Sequence, residues 1–338
     1  MTPRTPKGWY RRRRSVGVLS LAALPFSWIW RFATARRIAR VAPADLEAPV
    51  ICVGNLTLGG SGKTPVVLEL VRLLIASGID AHILTRGHGG RRRGPLRVDP
   101  GRHSARDVGD EALMMVDKAP VWVAHDRAKG AKAAAAAAAA LIVMDDGHQN
   151  PSVAKNLSLI VVDGETRDGE WPFGDGAVFP AGPMREPLAA GLARADAVVL
   201  LLPADLAAPD SELLDLFAGK PVLAARLVPA NAPPAGPQLG FAGIGKPWKM
   251  ERALRAAGCD LVGFAPLADH QVLTERLLAG LAERSTALGA GLITSEKDWA
   301  RLPARWRARV RPWPVHARFE DPSALEAVLA PVLARLGA

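Results

Sequence analysis

The side chains best suited to chemistry in this chain sit in the run Thr57-Leu58-Gly59-Gly60-Ser61-Gly62-Lys63-Thr64. Its spacing follows G-x-x-x-x-G-K-[ST] with Thr57 in the first position, and the bending glycines remain at Gly59, Gly60 and Gly62. Such glycines let successive backbone N–H groups turn inward around a phosphate. Lys63 has the length and charge to reach β- and γ-phosphates, and the Thr64 hydroxyl is suited to help hold Mg²⁺. A second set ends the apolar run Leu141-Ile142-Val143-Met144 with Asp145 and Asp146. Acids at such a strand end, downstream of a phosphate loop, complete a Mg²⁺ site directly or through water. Two further groups are open to two readings. Asp107-Val108-Gly109-Asp110-Glu111 opens a helical stretch, where acids commonly cap, and Asp269-His270-Gln271 stands just past a strand end, where a structural or a ligand-facing histidine fits equally.

These groups need elements to bring them together. Pro49 to Gly54 is apolar and Pro65 to Leu74 has a helical pattern, so the phosphate loop stands where a buried strand hands over to a helix N-terminus. Asp80 to Thr85 reads as a strand ending in Arg86-Gly87-His88-Gly89-Gly90, Val121 to Ala124 as a short strand, and the alanine run 133–140 as helix on propensity. Leu157 to Val162 and Ala195 to Leu202 are buried-strand patterns. Between them Asp163 to Pro187, rich in Gly and Pro, is a long irregular stretch of the kind that carries function. Further on come Gly240 to Ile244, a helix over Met250 to Ala257, a strand at Leu261 to Ala265, a helix over Val272 to Leu288 and a strand at Gly291 to Thr294. The alternation predicts two α/β/α domains with mainly parallel sheets: a P-loop NTPase-type domain at 41–205, a linker region at 206–237, and a smaller α/β domain at 238–338.

A formal charge of +10 points to an anionic partner, but much of it is local, in Arg11 to Arg14 and Arg91 to Arg93, which argues against a nucleic-acid coat. The only cysteines, Cys52 and Cys259, form no C-x-x-C pair, so neither a disulfide framework nor a cysteine metal site is expected and a reducing cytosolic setting fits. Residues 1–40 carry an uncharged run from Ser15 to Trp30 between arginine groups. At about 24 Å as helix it falls short of a roughly 30 Å hydrocarbon core, and Pro25 interrupts it. An amphipathic helix lying in a membrane interface is expected, with Trp9, Trp28 and Trp30 at headgroup depth and arginines on anionic lipid.

The combination resembles one family, the tetraacyldisaccharide 4'-kinases, or lipid A 4'-kinases, of Gram-negative bacteria. The resemblance rests on Val53 to Pro65, Arg86-Gly87, Val108-Gly109-Asp110-Glu111, Asp145-Asp146-Gly147-His148-Gln149, Pro180 to Pro187, Phe241 to Ile244, Asp269-His270 and Thr294 to Asp298, in order over nearly the whole chain. It implies transfer of the ATP γ-phosphoryl group to the 4'-hydroxyl of an acylated disaccharide 1-phosphate lipid, at the cytoplasmic face of the inner membrane. By the same resemblance Asp110 is the general base, His270 pairs with it from the second domain, and Lys63 serves the phosphates. Mg²⁺ is tended by Thr64, Asp145 and Asp146, with Gln149 and Glu186 as further candidates in that pocket. Two positions depart from the family pattern: His88 where Tyr is common, and His148 where an apolar residue is usual. A GTPase-type switch or metallochaperone is the alternative on the loop alone. It would carry an N-K-x-D element, and Glu296-Lys297-Asp298 lacks the Asn.

Overall fold

The computed structural model describes residues 7–12, 18–269 and 271–336. Two compact units divide the chain: a larger one holding 7–202, 206–226 and 317–336 of these residues, and a smaller one made mostly of Leu227–His316.

After a 3-10 turn at Lys7–Tyr10, the first unit runs α1 (Val18–Arg40), β1 (Val50–Gly54), α2 (Lys63–Ala76), β2 (Ala81–Thr85), β3 (Leu96–Arg97), α3 (Ala105–Val108) and α4 (Asp110–Met115). It continues with β4 (Val121–Val123), α5 (Arg127–Ala136), β5 (Leu141–Asp145), β6 (Leu157–Asp163), α6 (Leu188–Leu192), β7 (Ala197–Pro203), α7 (Ser211–Asp215) and β8 (Val222–Pro229). Next come β9 (Gln238–Ala242), α8 (Pro247–Ala256), β10 (Leu261–Pro266), α9 (Glu275–Ala287), β11 (Gly291–Ser295), α10 (Glu296–Ala300), α11 (Ala304–Arg307) and β12 (Val310–Trp313). The last elements are β13 (Val315–Phe319) and α12 (Pro322–Leu333). Among the described residues nine strands form one sheet in the order β13-β8-β7-β6-β1-β5-β2-β4-β3, and four form another, β10-β9-β11-β12.

The large sheet is parallel from β7 through β4, with β3 antiparallel on the edge. Its inner strands β1, β2, β5 and β6 are buried at every residue, which explains their unbroken Val, Ile and Leu runs. β5 lies between β1 and β2, so the chain that leaves β1 through α2 returns one strand further out. That order sets Asp145 at the end of β5 opposite Val53 of β1, directly before the phosphate loop.

Several boundaries differ from the sequence reading. The region 206–237 is no simple linker: it holds α7, capped by the Asp210 carboxylate on Glu212 N and Leu213 N, and the eight-residue strand β8. β8 does not stand out in the sequence because it buries alternate residues, Leu223 and Ala225, and carries Arg226. Residues 317–336 belong to the larger unit rather than to the smaller domain expected at 238–338. The α9 helix starts at Glu275, where the Thr274 hydroxyl accepts from Leu277 N, not at Val272. The alanine run leaves the helix after Ala136, and Ala140 N donates to Asp80 O so that β5 can begin.

α1 extends past the uncharged run to Arg40 with Pro25 inside it. Ser27 is buried on its packed side, donating to Val178 O (2.8 Å) and accepting from Ala181 N (3.1 Å). Leu21, Leu24, Phe26, Trp28, Ile29 and Phe32 are exposed, five of them by more than half. No helix among the described residues is long and apolar enough to cross a membrane.

Candidate active site

The phosphate loop is shaped by its own glycines and by side chains from behind. Gly62 adopts φ 80° at the start of α2, a conformation that favours glycine, and a Cβ there would have to displace Leu201 Cδ2, 2.2 Å away. The 14-residue helix α2 has no side-chain cap and no acid in its first turn, leaving its N-terminal N–H groups and positive dipole end for an anion. Asn55, fully buried, donates through Nδ2 to Thr57 O (2.8 Å) and Ser61 Oγ (2.9 Å), pinning the two ends of the loop to each other.

Lys63 and the carboxylates meet at the carboxyl ends of β1 and β5. Lys63 Nζ lies 3.6 Å from Asp146 Oδ1. Arg185 grips the same carboxylate in bidentate fashion (2.8 and 3.2 Å) and donates through Nε to Thr57 O (3.0 Å). Burial by itself would raise Asp146, but Lys63, then Arg185 and Arg127, outweigh it and hold the carboxyl below the ordinary carboxylate range. Asp145 is the opposite case. Burial first, then the negative charges of Glu111 and Asp146, push it up to about 7, against the pull of Lys63 and Arg127. Its Oδ2 accepts from Thr85 Oγ1 at 3.4 Å, and its buried Oδ1 has no hydrogen-bond partner among the described residues.

That unpartnered oxygen suits a cation ligand. A Mg²⁺ ion at a phosphoryl site needs only one or two protein oxygens beside phosphate and water. Asp145 with the Thr64 hydroxyl at the start of α2 fits that need, whereas no group of three or more His, Cys, Asp or Glu among the described residues offers a complete protein cage. Gln149 and Glu186 join the neighbourhood differently. Gln149 donates to Asn55 O (2.9 Å) and Glu186 Oε1 (3.0 Å) and accepts from Arg185, while both Glu186 oxygens bind Arg194 (2.7 and 2.6 Å). Asp146, Arg185, Gln149, Glu186 and Arg194 thus form one continuous network behind the loop.

Asp110 is the first residue of α4 and is buried. Gly109 before it has φ 90°, and a Cβ at that position would stand 2.5 Å from His88 O, so the Arg86–Gly90 turn packs directly on the Asp110 motif. The neighbouring Glu111 is close enough to raise Asp145, which sets the start of α4 beside the end of β5. His270 lies outside the described residues. In the smaller unit, Ala268 N donates to Gln271 Oε1 (2.9 Å) and Arg301 Nη1 to Gln271 O (3.2 Å).

A model of the family described as tetraacyldisaccharide-1-P 4'-kinase matches residues 19–334. The chain belongs to this family. Named tetraacyldisaccharide 4'-kinases from Phenylobacterium zucineum and Caulobacter vibrioides are 64% and 61% identical to it, each aligned over 96% of this chain and over 98% and 97% of their own lengths. A crystal structure of the Aquifex aeolicus family member LpxK, described as in complex with ATP, is 25% identical with a TM-score of 0.72 and covers 93% of this chain and 99% of that one.

Three residues of this kinase site went unrecognised as site residues in the sequence. Arg185 lies within Pro180 to Pro187, where the letters alone do not say what it touches. Asn55 is one polar letter between strand and loop. Arg127, 3% exposed and pushed down to about 10, chiefly by burial, donates to Asp145 O (3.4 Å) and Ala124 O (2.9 Å) from an alanine-rich helix that propensity alone explained. A lone arginine at the start of such a helix was the available signal. His148, the family departure, is buried away from the chemistry. Its Nε2 bonds Gly191 O (3.0 Å) and its Nδ1 bonds Ser158 Oγ (2.9 Å), as a neutral ring does.

Proposed function

We propose that this chain uses Thr57–Thr64 to bind ATP and transfers its γ-phosphoryl group to the 4'-hydroxyl of an acylated disaccharide 1-phosphate, at the cytoplasmic face of a bacterial inner membrane. The observation that carries the reading is the meeting of Lys63, Asp146 and the unpartnered Asp145 oxygen at the uncapped N-terminus of α2. Phosphoryl transfer asks little covalent chemistry of a protein and much charge neutralisation and alignment. The N–H groups of α2 and Lys63 neutralise phosphate charge. Asp145 and Thr64 would hold Mg²⁺, which when bound supplies Lewis-acid charge to the phosphate oxygens. Asp146, paired with Lys63 and Arg185, keeps the lysine aimed rather than acting as a ligand of first choice. Asp110 accepts the proton of the attacking sugar hydroxyl, and His270 is proposed as its partner. The exposed apolar side chains of α1, followed by Arg36, Arg37 and Arg40, support attachment at a lipid surface without a spanning helix.

The test is incubation with γ-labelled ATP, Mg²⁺ and the lipid disaccharide 1-phosphate in detergent. A labelled bis-phosphorylated lipid is expected from the wild type and from neither Lys63→Ala nor Asp110→Ala, with ATP binding retained in the second. Near-normal turnover by Asp110→Ala would remove the base assignment.

A further inference from the structure

The segment Trp9–Arg12 lies before residue 19, where the family match begins, and yet it is built into the phosphate loop. The Tyr10 side chain is buried, and its hydroxyl donates to Leu58 O. The same oxygen fills the space beside Gly59, 3.0 Å from where a Cβ would stand. From the other side Pro183 O accepts from Leu58 N (2.8 Å), so Leu58 is held by both main-chain groups.

The segment is itself anchored in several ways. Tyr10 O accepts from Trp171 N (2.7 Å), and Arg12 N donates to Gly169 O (3.1 Å). The Arg12 guanidinium lies 4.3 Å over the Trp171 ring and pairs with Asp210 (3.7 Å) and Glu212. Trp9 packs edge-on against Phe179 (6.4 Å), which also meets Trp30 of α1 (5.0 Å). Trp9 and α1 therefore share one aromatic contact in the loop that contains Pro183 and Arg185.

We propose that Tyr10 is a positioning residue for phosphoryl transfer, fixing the Leu58–Gly59 peptide of the phosphate loop and making the loop's shape depend on the docked Trp9–Arg12 segment. The proposal rests on the reading of Thr57–Thr64 as the ATP site. A peptide is planar and trans, so holding Leu58 O toward Tyr10 turns the Gly59 N–H the opposite way. Gly59, at φ 87° and followed by Gly60, offers little resistance to a flip of that peptide. A flipped peptide would exchange an N–H for a carbonyl oxygen in a loop whose task is to surround phosphate with donors. The Tyr10 hydroxyl opposes that exchange without touching the nucleotide.

Tyr10 is the sole tyrosine of the chain, so 3-fluorotyrosine labelling of the full-length protein yields a single ¹⁹F resonance. Addition of Mg²⁺ with a non-hydrolysable ATP analogue is expected to shift it. Tyr10→Phe, which keeps the ring and its packing, is expected to raise KM for ATP roughly three- to tenfold, as loss of one hydrogen bond would, with kcat within about twofold. A Tyr10→Phe protein with unchanged KM for ATP would overturn the proposal even if its Tm fell, because that is the mark of a purely structural tyrosine. An unmoved resonance, with calorimetry showing the analogue bound, would overturn it too. A labelled protein that binds no nucleotide would refute the loop reading and the Tyr10 assignment with it.

Discussion

Asp145→Asn should make the nucleotide-free protein more stable, and increasingly so as pH rises. Asp145 is 2% exposed, and its carboxyl is pushed up to about 7 by burial and the nearby negative charges of Glu111 and Asp146. The unfolded chain ionises the same carboxyl near 3.8. Between those values the folded state holds a proton that the unfolded state has lost, so raising the pH favours unfolding at about 1.4 kcal/mol per unit. The penalty builds through that window, is complete above about pH 7, and is on the order of a few kcal/mol, with the larger part arriving above pH 5. Asparagine carries no such charge. The stability gain of Asp145→Asn over wild type should therefore grow by on the order of a few kcal/mol between pH 5 and pH 8, whatever constant offset the substitution brings. Urea unfolding of both proteins in chelator at the two pH values measures it, alongside loss of kinase activity in the variant. An equal difference at pH 5 and pH 8 would refute the argument that Asp145 is held protonated until a cation replaces the proton.

The other expectations are briefer. Arg185→Lys should lower kcat/KM about 10- to 100-fold with the fold intact by circular dichroism, because lysine cannot bind Thr57 O and both Asp146 oxygens together. His148, pushed down to about 4 by burial and by Arg194, has the opposite pH sign to Asp145. Its contribution is present above about pH 6.5 and is lost as the pH falls toward 4, so His148→Gln should flatten acid unfolding over that window, read by urea titration. Replacing Phe26, Ile29 and Phe32 together with Ser should weaken sedimentation with anionic vesicles at least tenfold while leaving KM for ATP unchanged.

Much of this was legible in the chain because parallel strands buried on both faces write themselves as apolar runs. β1, β2, β5, β6 and β7 all appear in the sequence within a residue or two of their real ends. β8 and β13 do not, since strands toward the sheet's far edge bury only alternate residues and tolerate Arg226, His316 and Arg318. The phosphate loop and the acids of β5 were readable from type and spacing. Their division of labour was not. Adjacent Asp145 and Asp146 look equivalent as letters, yet one is driven toward protonation and the other held ionised. That difference comes from Lys63 and from Arg185, 39 residues downstream in an irregular loop, which hold Asp146 down, and from burial and the Glu111 charge, which push Asp145 up. Local patterns cannot carry such long-range pairings.

The Pro180–Pro187 stretch is the part of this chain whose composition says least and whose position says most. Its main chain crosses the outside of the phosphate loop, with Pro183 O on Leu58 N and Arg185 N on Leu56 O, while Arg185 reaches Asp146 and Glu186 reaches Arg194. The same stretch takes a hydrogen bond from Trp30 of α1 to Arg185 O (3.1 Å), and neighbouring Phe179 packs edge-on against that ring. α1 is thereby tied through Trp30 to the residue that grips Asp146 beside Lys63. Substituting Trp30 by Phe separates the two consequences: ring packing on Phe179 survives, and only the hydrogen bond to the Arg185 carbonyl is lost. If the helix and the phosphate loop are mechanically joined through this stretch, Trp30→Phe will alter KM for ATP in vesicles more than in detergent. An identical effect in both media would mean that the stretch braces the loop without relaying any effect of a lipid surface on α1.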